Sequence, residues 1–200
     1  MEIYLVRHGQ TDGNVARRHQ ADKTLLTPLG RSQAEAVATK FKKINPTNLI
    51  SSSLVRAVET ASIIGNACDL IPETSANFAE WERPDAMNGH HHGSFRSILF
   101  YTAWYFGLKS EGESYQEIRN RFKVARAFFN KYPNDARVVV VSHSVFINLF
   151  VAHICNDSTM SLWKAAKFFL SILTMPNTKV VHLNFDKEAP ANTCAWRVVK

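Results

Sequence analysis

Residues 138–141 are four consecutive valines, and this run constrains the fold more than any other feature of the chain. A strand with one wet face alternates apolar and polar side chains. A strand that is β-branched at every position is instead a central one, covered on both faces. Ser142, His143 and Ser144 follow at once, and an apolar stretch continues to Cys155. The spacing therefore predicts a buried strand running directly into a helix over 144–155. A membrane span would have to place Ser142, His143, Ser144, Asn148 and His153 in lipid, so that reading is excluded.

Strand and helix signals alternate along the rest of the chain, as in an α/β layer fold with a largely parallel sheet. Glu2–Val6 reads as the first strand. Thr27 followed by Pro28 is an N-cap with proline at the first helical position, and Ala34, Val37, Ala38, Phe41 and Ile44 recur at helical spacing behind it. Asn48–Ser51 is a short strand, and Leu54, Ala57, Val58, Ala61 and Ile64 form the stripe of the next helix. Ser114 with Glu117 is a capping box, followed by the inner face Tyr115, Ile118, Phe122, Ala125 and Phe129. Lys179–Phe185 and Thr193–Val199 read as a hairpin that closes the sheet. The 200 residues suit a single domain over 1–200, with residues 81–112 as an irregular excursion over the sheet. No signal peptide is read at the N-terminus. Cys68, Cys155 and Cys194 are widely spaced with no CxxC pair, which points to a reduced, cytoplasmic setting.

The residues that carry chemistry fall where strands end, and in open α/β sheets ligands bind at the carboxyl ends of strands. Arg7, His8 and Gly9 end the first strand. Ser51, Ser52 and Ser53 are natural N-caps that place Arg56 in the first turn of a helix, where a cation opposes the helix dipole. An anion bound between that guanidinium and the free backbone N–H groups reverses the penalty. His143 stands at a third strand-to-helix junction. Lys and Arg exceed Asp and Glu by 24 to 17, and the resulting charge of +7 favours anions. Phosphorylated metabolites fit that charge, whereas no nucleic-acid-binding motif is present. His90, His91 and His92 are consecutive and lack acidic or cysteine ligands at helical spacing, so they read as a solvated loop and not as a metal site. The aromatic residues Phe95, Phe100, Tyr101, Trp104, Tyr105 and Phe106 read as a lid helix packed on the domain.

These motifs resemble the histidine phosphatase superfamily, the phosphoglycerate mutase-like family. The resemblance runs from Arg7, His8 and Gly9 through Thr11, Asn14, Arg18 and Gln20 to Leu26–Ala34, then through Ser51–Thr60, Val138–Ser144 and the ending from Met175. It implies a three-layer sandwich with a mixed, mostly parallel central sheet flanked by helices. It further implies phosphoryl transfer in two steps through His8, with Arg7, Arg56 and His143 around the phosphate and no metal or other cofactor. Gly9 is expected to let the chain turn tightly. Asn14 is either an added polar contact or a helix-start cap, and Ser144, where glycine is common in the family, joins the phosphate-binding set. The proton donor lies in NFAEWERPD, with Phe78 at the family's leucine position: Glu80 is the best match, and Glu82 and Asp85 compete.

The reaction implied is hydrolysis of a small phosphorylated metabolite, the only partner expected, with no nucleic acid or membrane involved. The alternatives are phosphoglycerate mutase-type transfer and a low-turnover phosphate-ester-binding regulatory protein. The excursion is short for the sealed site of a mutase, and the presence of both His8 and Glu80 argues against the regulatory protein. Substrate identity and oligomeric state are not legible in these motifs.

Overall fold

The computed structural model describes residues 1–108, 111–155, 161, 163, 168, 171, 172, 174–190 and 192–199. A six-stranded sheet is its centre. The strands are β1 (Glu2–Arg7), β2 (Asn48–Ser51), β3 (Glu73–Thr74), β4 (Arg137–Ser142), β5 (Val180–Phe185) and β6 (Trp196–Val198), in the order β3-β2-β4-β1-β5-β6. From β3 to β1 the neighbours are parallel, while β5 and β6 join antiparallel, so the sheet is mixed and mostly parallel.

The valine run lies in the middle, and Val138, Val139, Val140 and Val141 are all fully buried. Alternate side chains serve opposite faces. On one face Ile3, Leu5, Ile50, Val138 and Val140 pack with α5 (Tyr115–Phe128) and α6 (Ser144–Ala152). On the other Tyr4, Val6, Leu49, Val139 and Val141 pack with α2 (Pro28–Ile44) and α3 (Val55–Cys68). These are the three layers expected. Two further helices are the short α1 (Asp12–Val15) and α4 (Phe95–Tyr105), and Trp104 of α4 joins the core on the α5–α6 face.

Caps follow the sequence where they are local. Thr27 accepts from Gly30 N at 3.0 Å, and Ser114 and Glu117 form the capping box. The serines before α3 depart from expectation: Leu54 is the N-cap and makes no side-chain cap bond. Ser52 Oγ accepts from Leu54 N at 3.2 Å but also meets His143 Nε2 at 2.7 Å, so a tertiary contact draws it towards β4. Gly9 does not adopt a left-handed conformation, which corrects the reading of a tight turn. It is needed for close approach, because a Cβ there would lie 2.3 Å from Gly30 O. The final strand is shorter than the predicted 193–199, and the helix after β4 ends at Ala152.

The reading of three separate thiols is corrected. Cys155 and Cys194 form a disulfide, with Cα atoms 5.3 Å apart, while Cys68 is free. It ties the chain after α6 to the segment leading into β6, and the two cysteines are 39 positions apart, which is why local spacing hides the pairing. Among the described residues no helix is long and apolar enough to cross a membrane.

Closing a loop of this size removes unfolded-state entropy worth roughly 4 kcal/mol in the chain-entropy view. Reductant, or Cys155→Ser, is therefore expected to lower unfolding free energy in urea by about 2–4 kcal/mol. Thiol titration of the denatured, unreduced protein should detect Cys68 alone. Equal stability with and without reductant would contradict the bond's role.

Candidate active site

Three adjacent strands deliver the site. Arg7 pairs with Ser142 across β1 and β4, and Ser51 pairs with Val141 across β2 and β4, so their carboxyl ends are level. His8 follows β1, Arg56 lies in the first turn of α3, and His143 is the N-cap of α6. The rings of His8 and His143 are 5.1 Å apart between centroids, and the two residues are 3% and 0% exposed.

His8 is oriented by its own backbone neighbourhood. Its Nδ1 lies 2.7 Å from Gly9 O. A carbonyl only accepts, so Nδ1 carries the proton and Nε2 keeps its lone pair. His8 N donates to Ser142 O at 3.0 Å, and Gly9 N donates to Thr60 Oγ1 at 3.1 Å. Thr60 Oγ1 in turn donates to Arg56 O at 2.8 Å, so one hydroxyl couples the His8 loop to the helix carrying Arg56. On the other side Asn177 Nδ2 donates to His8 O at 3.1 Å.

The cations around this imidazole are incompletely partnered. Arg7 donates through a terminal nitrogen to Met175 O, and Arg56 Nη1 donates to Ala21 O at 3.2 Å. Nε of both guanidinium groups is buried without a hydrogen bond, as is His143 Nδ1. Buried donors without acceptors are costly, and their convergence marks a place for an anion. Burial lowers the Arg56 pKa to about 10, opposed by Glu80, and also lowers that of Arg7, again opposed by Glu80. Both stay charged near neutral pH. Burial first, then Arg56 and Arg7, hold His8 well below the ordinary histidine value against the Gly9 carbonyl. His143 is lowered in the same direction by burial, Arg56, His8, Arg7 and Arg83. Both imidazoles are neutral at pH 7, as a nitrogen nucleophile requires.

The acid candidates separate by their surroundings. Phe78 is fully buried against Phe128, Phe129 and Phe146, and its carbonyl accepts from Ser142 Oγ at 2.7 Å. Arg121 Nη1 holds Ala79 O at 2.7 Å, and Trp81 Nε1 donates to Glu113 O at 2.9 Å. Glu80, between these anchors, accepts through Oε1 from Trp81 N at 3.0 Å and from Phe146 N at 3.1 Å, in the first turn of α6. It thus supplies the side-chain cap that His143 does not make, and its charge acts on Arg7 and Arg56. Glu82 and Asp85 are exposed.

The remaining predicted residues are placed differently. Asn14 is the third residue of the α1 capping box, and its Oδ1 accepts from Thr11 N at 3.2 Å and Asn177 Nδ2 at 3.0 Å. Its oxygen serves the fold. Ser144 is buried at the start of α6. The three-histidine segment is not wholly solvated: His92 is half-buried, its ring 4.5 Å from that of His19, and Arg18 bridges to His91. Among the described residues no group of His, Cys, Asp and Glu is arranged to hold a metal ion. Thr60, Asn177 and Met175, which position the predicted residues, had no role assigned from sequence, and Ser52 was read only as a helix cap. All four lie within the matched motifs, which was the available signal.

Comparison with known proteins gives the family and the fold. The sequence profile of the histidine phosphatase superfamily, branch 1, matches residues 3–194. The probable phosphoglycerate mutase GpmB of Shigella boydii is 33% identical over 178 residues, covering 85% of this chain and 80% of that protein. A mycobacterial glucosyl-3-phosphoglycerate phosphatase structure superposes with a TM-score of 0.78 at 26% identity, covering 98% of this chain and 96% of the other. An Escherichia coli structure described as a putative alpha-ribazole-5'-P phosphatase has the same fold, with a TM-score of 0.77 at 18% identity and coverage of 100% and 94%.

The neutral histidines make stability depend on pH. His8 and His143 bind protons more weakly when folded than when unfolded, where the ordinary value is about 6.5. Their contribution is complete above that value and is lost as pH falls below it, because only the unfolded chain takes up the protons. Urea unfolding in anion-poor buffer is expected to weaken from pH 7 to 5 by up to about 1.4 kcal/mol per pH unit for each histidine. A flat profile over that range would contradict buried neutral rings.

Proposed function

The chain belongs to the histidine phosphatase superfamily, and on that premise we propose that it is a metal-independent phosphatase that hydrolyses a small phosphorylated metabolite through a phosphohistidine at His8. The observation that carries this reading is the His8 Nδ1 contact to Gly9 O at 2.7 Å, which leaves Nε2 as the nucleophile among unpartnered cationic donors. Arg7 and Arg56 grip the non-bridging oxygens of the phosphoryl group, and His143 donates to the same group. Nε2 attacks phosphorus as the P–O bond to the leaving group breaks, and Glu80 gives its proton to the departing oxygen. The Glu80 carboxylate then takes a proton from water, whose oxygen attacks phosphorus. The P–N bond breaks, inorganic phosphate leaves, and both residues return to their starting states. Charge stabilisation by two guanidinium groups supplies what a metal supplies elsewhere.

The second reading, transfer of the phosphoryl group back to substrate, is favoured by the mutase name of the curated relatives. The phosphatase reading is favoured by the short excursion over the site and by the phosphatase structures of similar shape. Release of inorganic phosphate from p-nitrophenyl phosphate and a panel of sugar, nucleotide and glycerate phosphates, in EDTA, is expected, and His8→Ala should abolish it. Isomerised phosphoglycerate without net release would instead establish the mutase. Alkaline quench after labelled substrate should trap phosphate on His8, and an unlabelled protein would overturn the covalent step. Glu80→Gln should cost about 100-fold or more in rate, and Glu82→Gln far less.

A further inference from the structure

The acid lies on a stretch with no hydrogen-bond ladder of its own. Glu80 falls between two short 3₁₀ turns, Ala76–Phe78 and Asp85–Met87, so its place is set by side chains from other elements. Its Oε1 accepts from both Trp81 N and Phe146 N, which assigns the transferable proton to Oε2. General-acid transfer needs that oxygen within hydrogen-bond reach of the departing one, and a misplacement of about 1 Å can cost about 100-fold in rate.

Glu113 and Arg121, at the start of α5, brace this stretch from both sides. Arg121 holds the Glu113 carboxylate in a fork, with Nε to Oε1 at 2.7 Å and Nη2 to Oε2 at 2.6 Å. Its Nη1 donates to Ala79 O at 2.7 Å and to Asn77 O at 3.3 Å, just before the acid. The guanidinium also lies 5.3 Å from the ring centre of Phe146, the residue whose N–H meets Glu80. Just after the acid, Glu113 N donates to Glu82 O at 3.0 Å and Glu113 O accepts from Trp81 Nε1 at 2.9 Å. The same carbonyl accepts from Trp104 Nε1 of α4 at 2.9 Å, and the two indole rings are 4.3 Å apart.

This ion pair therefore grips residues 77, 79, 81 and 82 and joins them to α4. Among the described residues, neither side chain bonds to Arg7, His8, Arg56 or His143. Its side chains are only 17% and 11% exposed, and a pair so buried adds little net stability over apolar packing, so its value lies in the geometry it fixes. Only a guanidinium supplies a fork and a further donor at once. We propose that Glu113 and Arg121 are positioning residues for the acid, fixing the Glu80 carboxyl at the leaving-group oxygen while taking no part in holding phosphate. The proposal rests on the phosphatase reading, with Glu80 as proton donor.

Leaving-group basicity provides the test. Phenyl phosphate and p-nitrophenyl phosphate are alike in shape, but phenolate is far more basic and depends more on a proton from Glu80. Arg121→Gln is expected to lower kcat/KM about 30-fold for phenyl phosphate and about 3-fold or less for p-nitrophenyl phosphate, with competitive inhibition by inorganic phosphate unchanged. Added to Glu80→Gln, it should cost no more than about 2-fold further, since the acid is already gone. Arg121→Lys keeps the charge without the fork, guards against a chain that fails to fold, and should show the same split at smaller size. The indole N–H groups of Trp81 and Trp104, followed by NMR, should exchange with solvent at least about 10-fold faster in either variant. Equal losses for the two esters, weakened inhibition by phosphate, or unchanged indole exchange would overturn the proposal. If the unmutated chain releases phosphate from neither ester, the phosphatase reading falls, and indole exchange still decides whether the pair holds the Glu80 segment.

Discussion

The level pairing of three parallel strands is the constraint on which the site depends. With Arg7 opposite Ser142 and Ser51 opposite Val141, the residues that follow β1, β2 and β4 emerge side by side. A shift of one position in any of these strands would exchange the side chains it gives to the two buried faces and displace its end by one residue. The register of the sheet therefore sets where His8, Arg56 and His143 stand. Two independent cores, one on each face, hold the arrangement from both sides.

The site itself works against that stability. Arg7 and Arg56 each donate to one backbone carbonyl, of Met175 and Ala21, but retain a buried unpartnered Nε. His8 and His143 are kept neutral by burial and the neighbouring guanidinium groups. Functional sites commonly break local rules in this way, and the rest of the fold compensates. Here the compensation comes from short bonds that leave little freedom: Gly9 against Gly30, Thr60 between Gly9 and Arg56, and Glu80 across the first turn of α6. The unpartnered donors are suited to an anion, and the fold holds them in place without one.

Much of this was legible because it is local. The valine run named its own strand, Thr27 and Ser114 named their helices, and Arg7–His8–Gly9 stood at a strand end. Phe78 marked the buried anchor that sets Glu80 apart from Glu82. What failed were readings that extended local rules across the chain. The serines before α3 read as caps, yet Ser52 turns to His143, a residue 91 positions away. The separate cysteines read as free thiols, yet Cys155 and Cys194 meet where the chain after α6 passes the hairpin. Gly9 read as a turn residue, while its actual constraint is Gly30, which no spacing rule connects to it.

The sequence alone determined the layer architecture and the chemical character of the strand ends, because hydrophobic period and capping act over a few residues. Tertiary structure alone decided which donors lack partners, why His8 and His143 stay neutral, and how Glu80 comes to cap the first turn of α6. Those properties depend on desolvation and on charges brought together from distant segments, and neither exists until the chain has folded.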